Sequence, residues 1–234
     1  TKFKIIMAKG SGRTRSTGPS ANPQLKGAGN TEKQTEHPGN PDSYYWEQEA
    51  KAYMMTKGGM SSKEAEYTLA TIKSWAGSGY QGMRDWQLGR GGNQPEIIIE
   101  YNKTRAVMLE NFIERMPKWA GGTTYRGIDS RAKRAMFEAM DVDTIWDARS
   151  LNSWSSDFNI GMEFANYGGP GTVLLRCNAP QNGTSIRNMG GLRREYEVLT
   201  SGKCRYRISG KTITDDGTLI VDLEPISNGK VRKE

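Results

Sequence analysis

The sequence predicts an α+β fold, with a helical N-terminal layer packed on a mixed or antiparallel β-sandwich core. Three observations carry this. Over residues 43–117 apolar side chains recur at helical spacing, punctuated by a capping box and by Gly and Pro stops. After Pro117 the period shifts towards two, the spacing of a strand with one buried face. Helices come first and strands after, an order that groups the helices on part of a sheet instead of alternating them with its strands. No internal repeat is present.

Residues 8–42 carry Gly, Ser, Thr, Asn, Pro and Lys with almost no apolar side chains, so residues 1–42 read as a disordered basic tail. Tyr44-Tyr45-Trp46 opens an amphipathic helix through Met55 that ends at Gly58-Gly59. Ser61-Ser62-Lys63-Glu64 is a capping box, predicting a helix through Tyr67, Leu69, Ile72 and Trp75. That helix breaks at Ala76-Gly77-Ser78-Gly79, and a short one runs from Tyr80 to Leu88 before Gly89. Pro95 suits a first helical position. Ile98, Tyr101, Leu109, Phe112, Ile113 and Met116 then predict one buried stripe on a long helix stopped by Pro117. In the strand-rich part, 118–228, strands are predicted over Thr123–Gly127, Ser150–Ser155, Val173–Cys177, Glu195–Leu199, Cys204–Ile208 and Leu219–Leu223. Short helices are predicted over Ser130–Met140 and Asn159–Ala165. Residues 43–228 thus form a single domain, a helical lobe (43–117) and a β core (118–228), and 229–234 form a basic tail.

The 234 residues carry a net charge of +7, a balance that favours acidic partners such as phosphates or nucleic acid. His37 is the only histidine and lies in the Gly/Pro-rich tail, which argues against Ser-His-Asp, Cys-His and His-metal chemistry; no metal is expected. Cys177 and Cys204 lack metal-ligand spacing and read as a reduced pair of small buried hydrophobes. No apolar run approaches membrane-spanning length, and Phe3–Met7 is too short for a signal-peptide core, so no membrane partner is expected. Met7 is a candidate natural start. The expected location is the cytoplasm of the producing or target cell, reached in one version by phage delivery.

Three short stretches carry candidate chemistry. Glu195-Tyr196-Glu197 runs into Val198-Leu199, so on a strand the two carboxylates would share one face and Tyr196 the other. Two like charges on one face repel unless a cationic ligand lies between them or one is protonated. A pair of solvated edge acids is the plainer reading of that motif alone. Arg126 before Gly127 is a phosphate grip in form, since guanidinium matches two phosphate oxygens and Gly lets backbone approach a ligand. Ser153-Trp154-Ser155 puts two hydroxyls on one strand face.

In order, Tyr125-Arg126-Gly127, Ser153-Trp154-Ser155 and Glu195-Tyr196-Glu197 resemble the Arg, Ser-Thr-Ser and Glu-x-Glu signature of the toxin-type mono-ADP-ribosyltransferases. The pattern is nearest to the arginine-specific branch that includes the clostridial binary toxins, with phage and bacterial effector relatives. The break Trp75-Ala76-Gly77-Ser78-Gly79-Tyr80 and the interval from Ser153 to Phe164-Ala165 also resemble the family. The resemblance spans roughly residues 43–225. It implies NAD as co-substrate, with Arg126 on its phosphates and the Gly127 backbone on the nicotinamide carboxamide. It further implies Phe164 against the nicotinamide ring, Tyr80 near the pyrophosphate with Trp75 beside it, and Ser155 and Arg84 among the cofactor-binding residues. Ser153 would position Glu197, the catalytic acid residue on the nicotinamide-ribose 2′-hydroxyl, and Glu195 would activate the acceptor. Two departures stand out. Trp154 replaces the middle Thr and is expected to point away from the site, and Arg84 stands where the family often has Asn.

The chemistry is coherent in itself. Breaking the ribose–nicotinamide bond builds positive charge on the sugar, which a carboxylate stabilises more in the transition state than in the ground state. A target guanidinium is protonated near neutral pH and needs a second carboxylate to orient it and take a proton. The first expectation is therefore a monomeric NAD-dependent transferase acting on protein arginine, with NAD glycohydrolysis as a side activity. The second is the same fold acting on RNA or DNA bases, which the charge and the basic tail suit; Arg187, Arg193 and Arg194 serve either acceptor. The third is a non-catalytic nucleic-acid-binding or virion structural domain, which leaves the motif order unexplained.

Overall fold

The computed structural model describes residues 43–166, 172–177, 182–187, 189 and 196–226. Both predicted tails, and most of the loop before Glu197 with Glu195 in it, lie outside the described residues. The helical lobe comprises α1 (Ser43–Gly58), α2 (Ser62–Ser74), a π-turn (Trp75–Gly79), α3 (Tyr80–Gln87) and α4 (Glu96–Arg115). Helix α1 stops where Gly59 takes φ +60°, a conformation that costs glycine nothing. The capping box forms as predicted: Glu64 N–H donates to Ser61 Oγ at 3.2 Å, and Ser61 N–H donates to Glu64 Oε2 at 2.8 Å. Among the described residues no helix is long and apolar enough to cross a membrane.

Helix α4 corrects two expectations. Pro95 caps it from outside instead of occupying its first turn. Leu109, Phe112, Ile113 and Met116 are buried as predicted, but Ile98 and Tyr101 are 42% and 57% exposed, and Asn102 and Arg105 are buried in their place. The cause lies in the facing segment. Gly79 and Gly82 bring it so close that a Cβ on Gly82 would sit 2.7 Å from the Asn102 amide, and one on Gly79 2.8 Å from Arg105 Nη2. Tyr101 covers the Arg105 guanidinium from outside at 4.8 Å, a cation–π contact.

The β core contains β1 (Thr124–Asp129), α5 (Arg131–Ala139), β2 (Ile145–Asp147), β3 (Asn152–Ser155), α6 (Phe158–Ala165), β4 (Thr172–Cys177), β5 (Gly183–Ser185), β6 (Glu197–Thr200), β7 (Arg205–Ile213) and β8 (Leu219–Ile226). The three-residue edge strands β2 and β5 were not predicted. The strand order is β2-β7-β8-β4-β1-β3-β6-β5, with β4 and β8 parallel and the other pairs antiparallel. The link between β1 and β3 is a single residue pair, Tyr125 with Ser155, so the series divides there into two halves.

Those halves face each other. Trp154 on β3 and Tyr206 on β7 have ring centroids 5.5 Å apart. Four strand spacings in a flat sheet would separate them by about 19 Å, so the sheet curls over and its inner faces meet. Val173, Leu175, Val198 and Val221 join the two rings in one core, with Phe137 of α5. The outer face of the β3-β6-β5 half offers Leu199 and Ile186 to the helical lobe. On the other half Leu174 and Ile220 pack under α6.

Candidate active site

The division of the sheet at β1 and β3 places a cleft of about 340 Å³ between the split and the helix break. Of the residues expected at the site, Trp75, Tyr80, Arg84, Arg126, Gly127, Ser153, Ser155, Phe164 and Glu197 all line it; Glu195 lies outside the described residues. Ala76, Gly77, Tyr125 and Trp154 also line it and were not predicted there, although each lies in or beside a motif.

Strand register explains the β-core wall. Ser155 pairs with Glu197 and Ser153 with Leu199, so both hydroxyls and the carboxylate lie on one face. Trp154 faces the other way as expected; it is buried, and its indole N–H donates to Thr200 Oγ1 at 3.1 Å. The Ser153 hydroxyl donates to Glu197 Oε1. Arg126, on the adjacent strand, donates from Nη1 to the Ser153 carbonyl at 2.6 Å. Three strands neighbouring in the sheet thus bring together residues far apart in the chain.

Glu197 is buried, which pushes its carboxyl pKa up; the Ser153 and Trp75 donors and the Arg126 charge oppose that rise. Burial holds the Arg126 guanidinium down to about 9, with the adjacent Arg84 charge acting in the same direction, so it is a cation at neutral pH. Arg84 is likewise lowered by burial, and its Nε lies 3.4 Å from Ser150 Oγ. Among the described residues neither guanidinium forms an ion pair. Lys133 of α5 is lowered first by burial and then by Arg90, Arg84, Arg126 and Arg149, which marks one side of the cleft as a concentrated positive field. Paired guanidiniums without carboxylate partners suit a diphosphate.

Four residues have contacts or backbone geometry that the sequence did not report. Trp75 is 3% exposed, and its indole N–H reaches Glu197 Oε1 at 2.9 Å and Ser153 Oγ at 3.0 Å, where a place beside the pyrophosphate was expected. The Cβ side of Gly127 is taken by α6, where an added Cβ would lie 2.2 Å from both Ala165 N and Gly161 O, while its backbone lines the cleft. Ser155 Oγ accepts from the Asp157 amide at 3.0 Å, shaping the turn into α6, whose N-cap is Asp157. Tyr196 has φ +48° just before β6, which begins at Glu197; Glu195, expected to share the face of Glu197, lies outside the described residues. Phe164 and Tyr80 are 44% and 43% exposed and line the cleft. The Tyr80 ring stands edge-on to Trp75 at 6.2 Å.

No protein-family model matches the chain, and no curated protein matches it. Solved structures do. The Vis toxin, an ADP-ribosyltransferase from Vibrio splendidus, superposes with a TM-score of 0.63 at 17% identity, covering 81% of this chain and 85% of that one. The same enzyme in complex with agmatine gives 0.60 at 16% identity over 83% and 91%. Exoenzyme S from Pseudomonas aeruginosa, bound to carba-NAD and to a human 14-3-3 protein, gives 0.54 at 13% identity over 80% and 86%. The chain therefore has the fold of the toxin-type ADP-ribosyltransferases.

Proposed function

We propose that this protein is an NAD-dependent mono-ADP-ribosyltransferase that moves ADP-ribose from NAD to a protein arginine and releases nicotinamide. The observation that carries the reading is the convergence of Arg126, Ser153 and Glu197 in one cleft, with the carboxylate held by two donors. Arg126 and Arg84 bind the diphosphate. Phe164 covers the nicotinamide ring, an aromatic face against an aromatic face. Tyr80, Gly127 and Ser155 complete the dinucleotide site, and Ser153 positions Glu197.

Glu197 accepts a hydrogen bond from the 2′-hydroxyl of the nicotinamide ribose and faces the positive charge that grows on the sugar as the C1′–N bond breaks. Nicotinamide leaves with the bonding electron pair. A guanidinium nitrogen of the target forms the new bond to C1′, and its proton passes to Glu195. With water as acceptor the same site hydrolyses NAD. The arginine acceptor is supported by the motif Glu195-Tyr196-Glu197 and by Vis having been solved with agmatine, a guanidinium compound. Binding of NAD is supported by exoenzyme S having been solved with carba-NAD.

A second reading keeps the site and changes the acceptor to RNA or DNA bases. The net charge of +7 and the cations around Lys133 favour it. One experiment separates them: labelled NAD is added to a cell lysate, with nuclease and protease controls, and the modified residue is identified by mass spectrometry. Label on arginine that survives nuclease supports the first reading; label lost to nuclease and kept after protease supports the second. NAD that is neither bound nor cleaved sinks both.

A further inference from the structure

We infer that Trp75 is a positioning residue: its indole N–H holds one oxygen of the Glu197 carboxylate, favours its ionised form and leaves the other oxygen for substrate. The inference rests on the reading of the cleft proposed above. Trp75 Nε1 lies 2.9 Å from Glu197 Oε1, and the Ser153 hydroxyl donates to the same oxygen. Among the described residues no donor reaches Oε2. At 3% exposure the indole is closed off from solvent, so it offers a ligand little surface and the carboxylate a fixed donor.

The local backbone explains how a helix side chain comes to serve a strand carboxylate. Trp75 is the first residue of the π-turn that separates α2 from α3. Such a turn inserts a residue and rotates the second helix about its axis relative to the first. Here Gly77 takes φ −95° and ψ −129°, far from helical values, and Tyr80 then stands edge-on against the indole. An uninterrupted helix would carry Tyr80 onto another face. The turn therefore lets one segment supply both a carboxylate donor and an exposed wall of the cleft.

The chemistry of the donor matters. An indole N–H donates, has no acceptor and does not titrate, so it favours a carboxylate over a carboxylic acid at every working pH. Among the described residues, the other charged or titratable groups lining the cleft with Glu197 are Tyr125 and Arg126 from β1 and Tyr80 and Arg84 from α3. Burial alone would hold Glu197 protonated to higher pH, and Ser153, Trp75 and Arg126 are what oppose it. A hydroxyl such as Ser153 can turn and accept; the indole cannot.

The test replaces Trp75 with Phe and, separately, with β-(3-benzothienyl)alanine, which keeps the shape and puts sulfur where the N–H was. Glu197 is titrated by NMR in protein labelled with 13C at the glutamate carboxyl, its signal assigned by loss in Glu197→Gln. The acid limb of NAD cleavage is measured in parallel. Loss of one charge-assisted donor should move the Glu197 midpoint up by about one pH unit, a tenfold fall in acidity. The acid limb should move with it, with KM for NAD nearly unchanged and the benzothienyl variant melting like the wild type. A benzothienyl variant whose Glu197 midpoint and acid limb stay put, in a protein that cleaves NAD, overturns the role of Trp75. A wild type that does not cleave NAD overturns the reading of the cleft itself, and the catalytic part of this inference with it.

Discussion

On the β-core wall of the cleft, Arg126, Ser153 and Glu197 come from three strands adjacent in the sheet, whereas on the helical wall Trp75, Tyr80 and Arg84 come from one short stretch around a helix break. The first wall is assembled from distant parts of the chain and held by strand register, so its residues cannot move without breaking backbone ladders. The second is local, and its geometry hangs on the backbone freedom of Gly77 and on the close approach that Gly79 allows. On the function proposed above, the difference assigns work to each wall. Bond cleavage needs a carboxylate placed to a fraction of an ångström, which a ladder supplies. Grip on a flexible dinucleotide tolerates more play, and here it is shared between Arg126 of the β wall and Tyr80 and Arg84 beside the helix break. Trp75 is the point where the two walls meet.

Changes at the carboxylate of the β wall should then strike the chemical step. Glu197→Gln keeps the shape and removes the charge, and should cut NAD cleavage by about a thousandfold, read as kcat with little change in KM. The same variant should alter stability with a definite sign. The folded-state pKa of Glu197 is raised above 4.5, so its contribution to stability is full below that value and falls as pH rises through the folded pKa. Melting at pH 7 should therefore show Glu197→Gln at least as stable as the wild type; a clear loss of stability would mean that the charge is better solvated than its burial indicates.

Gly127→Ala separates a ligand contact from a packing contact. Its Cβ would meet α6 backbone at 2.2 Å, so the helix must shift, at about 2–3 kcal/mol in a urea titration. Arg126→Lys keeps a cation and loses the two-pronged geometry and the bond to the Ser153 carbonyl. The Michaelis constant for NAD should rise about thirtyfold. The smallest effect is expected farthest from both walls: Ser61→Ala removes the α2 cap at about 1 kcal/mol of stability, leaving NAD kinetics unchanged.

Much of the helical lobe was legible because its signals are local. The capping box at Ser61, the glycines at 58 and 59 and the break at 76–79 each act within a few residues, and each appears where the sequence puts it. The stripe on α4 failed in its N-terminal half because Asn102 and Arg105 are buried by glycines on a different element, which no helical period can report. Strands β2 and β5 were invisible at three residues each, since their pairing partners and not their own composition make them strands.

By itself the sequence determined the α+β class and the position of the helix break, because those signals are local, and its resemblance to a known order of motifs named most of the side chains that line the cleft. Only the tertiary structure decided what several of them touch. Trp75 serves the carboxylate, Gly127 admits a helix, and Tyr196 turns the backbone just before Glu197. Each of these depends on a neighbour brought in by folding, and a hydrogen bond or a close approach belongs to the pair of groups that make it, not to either stretch of chain alone.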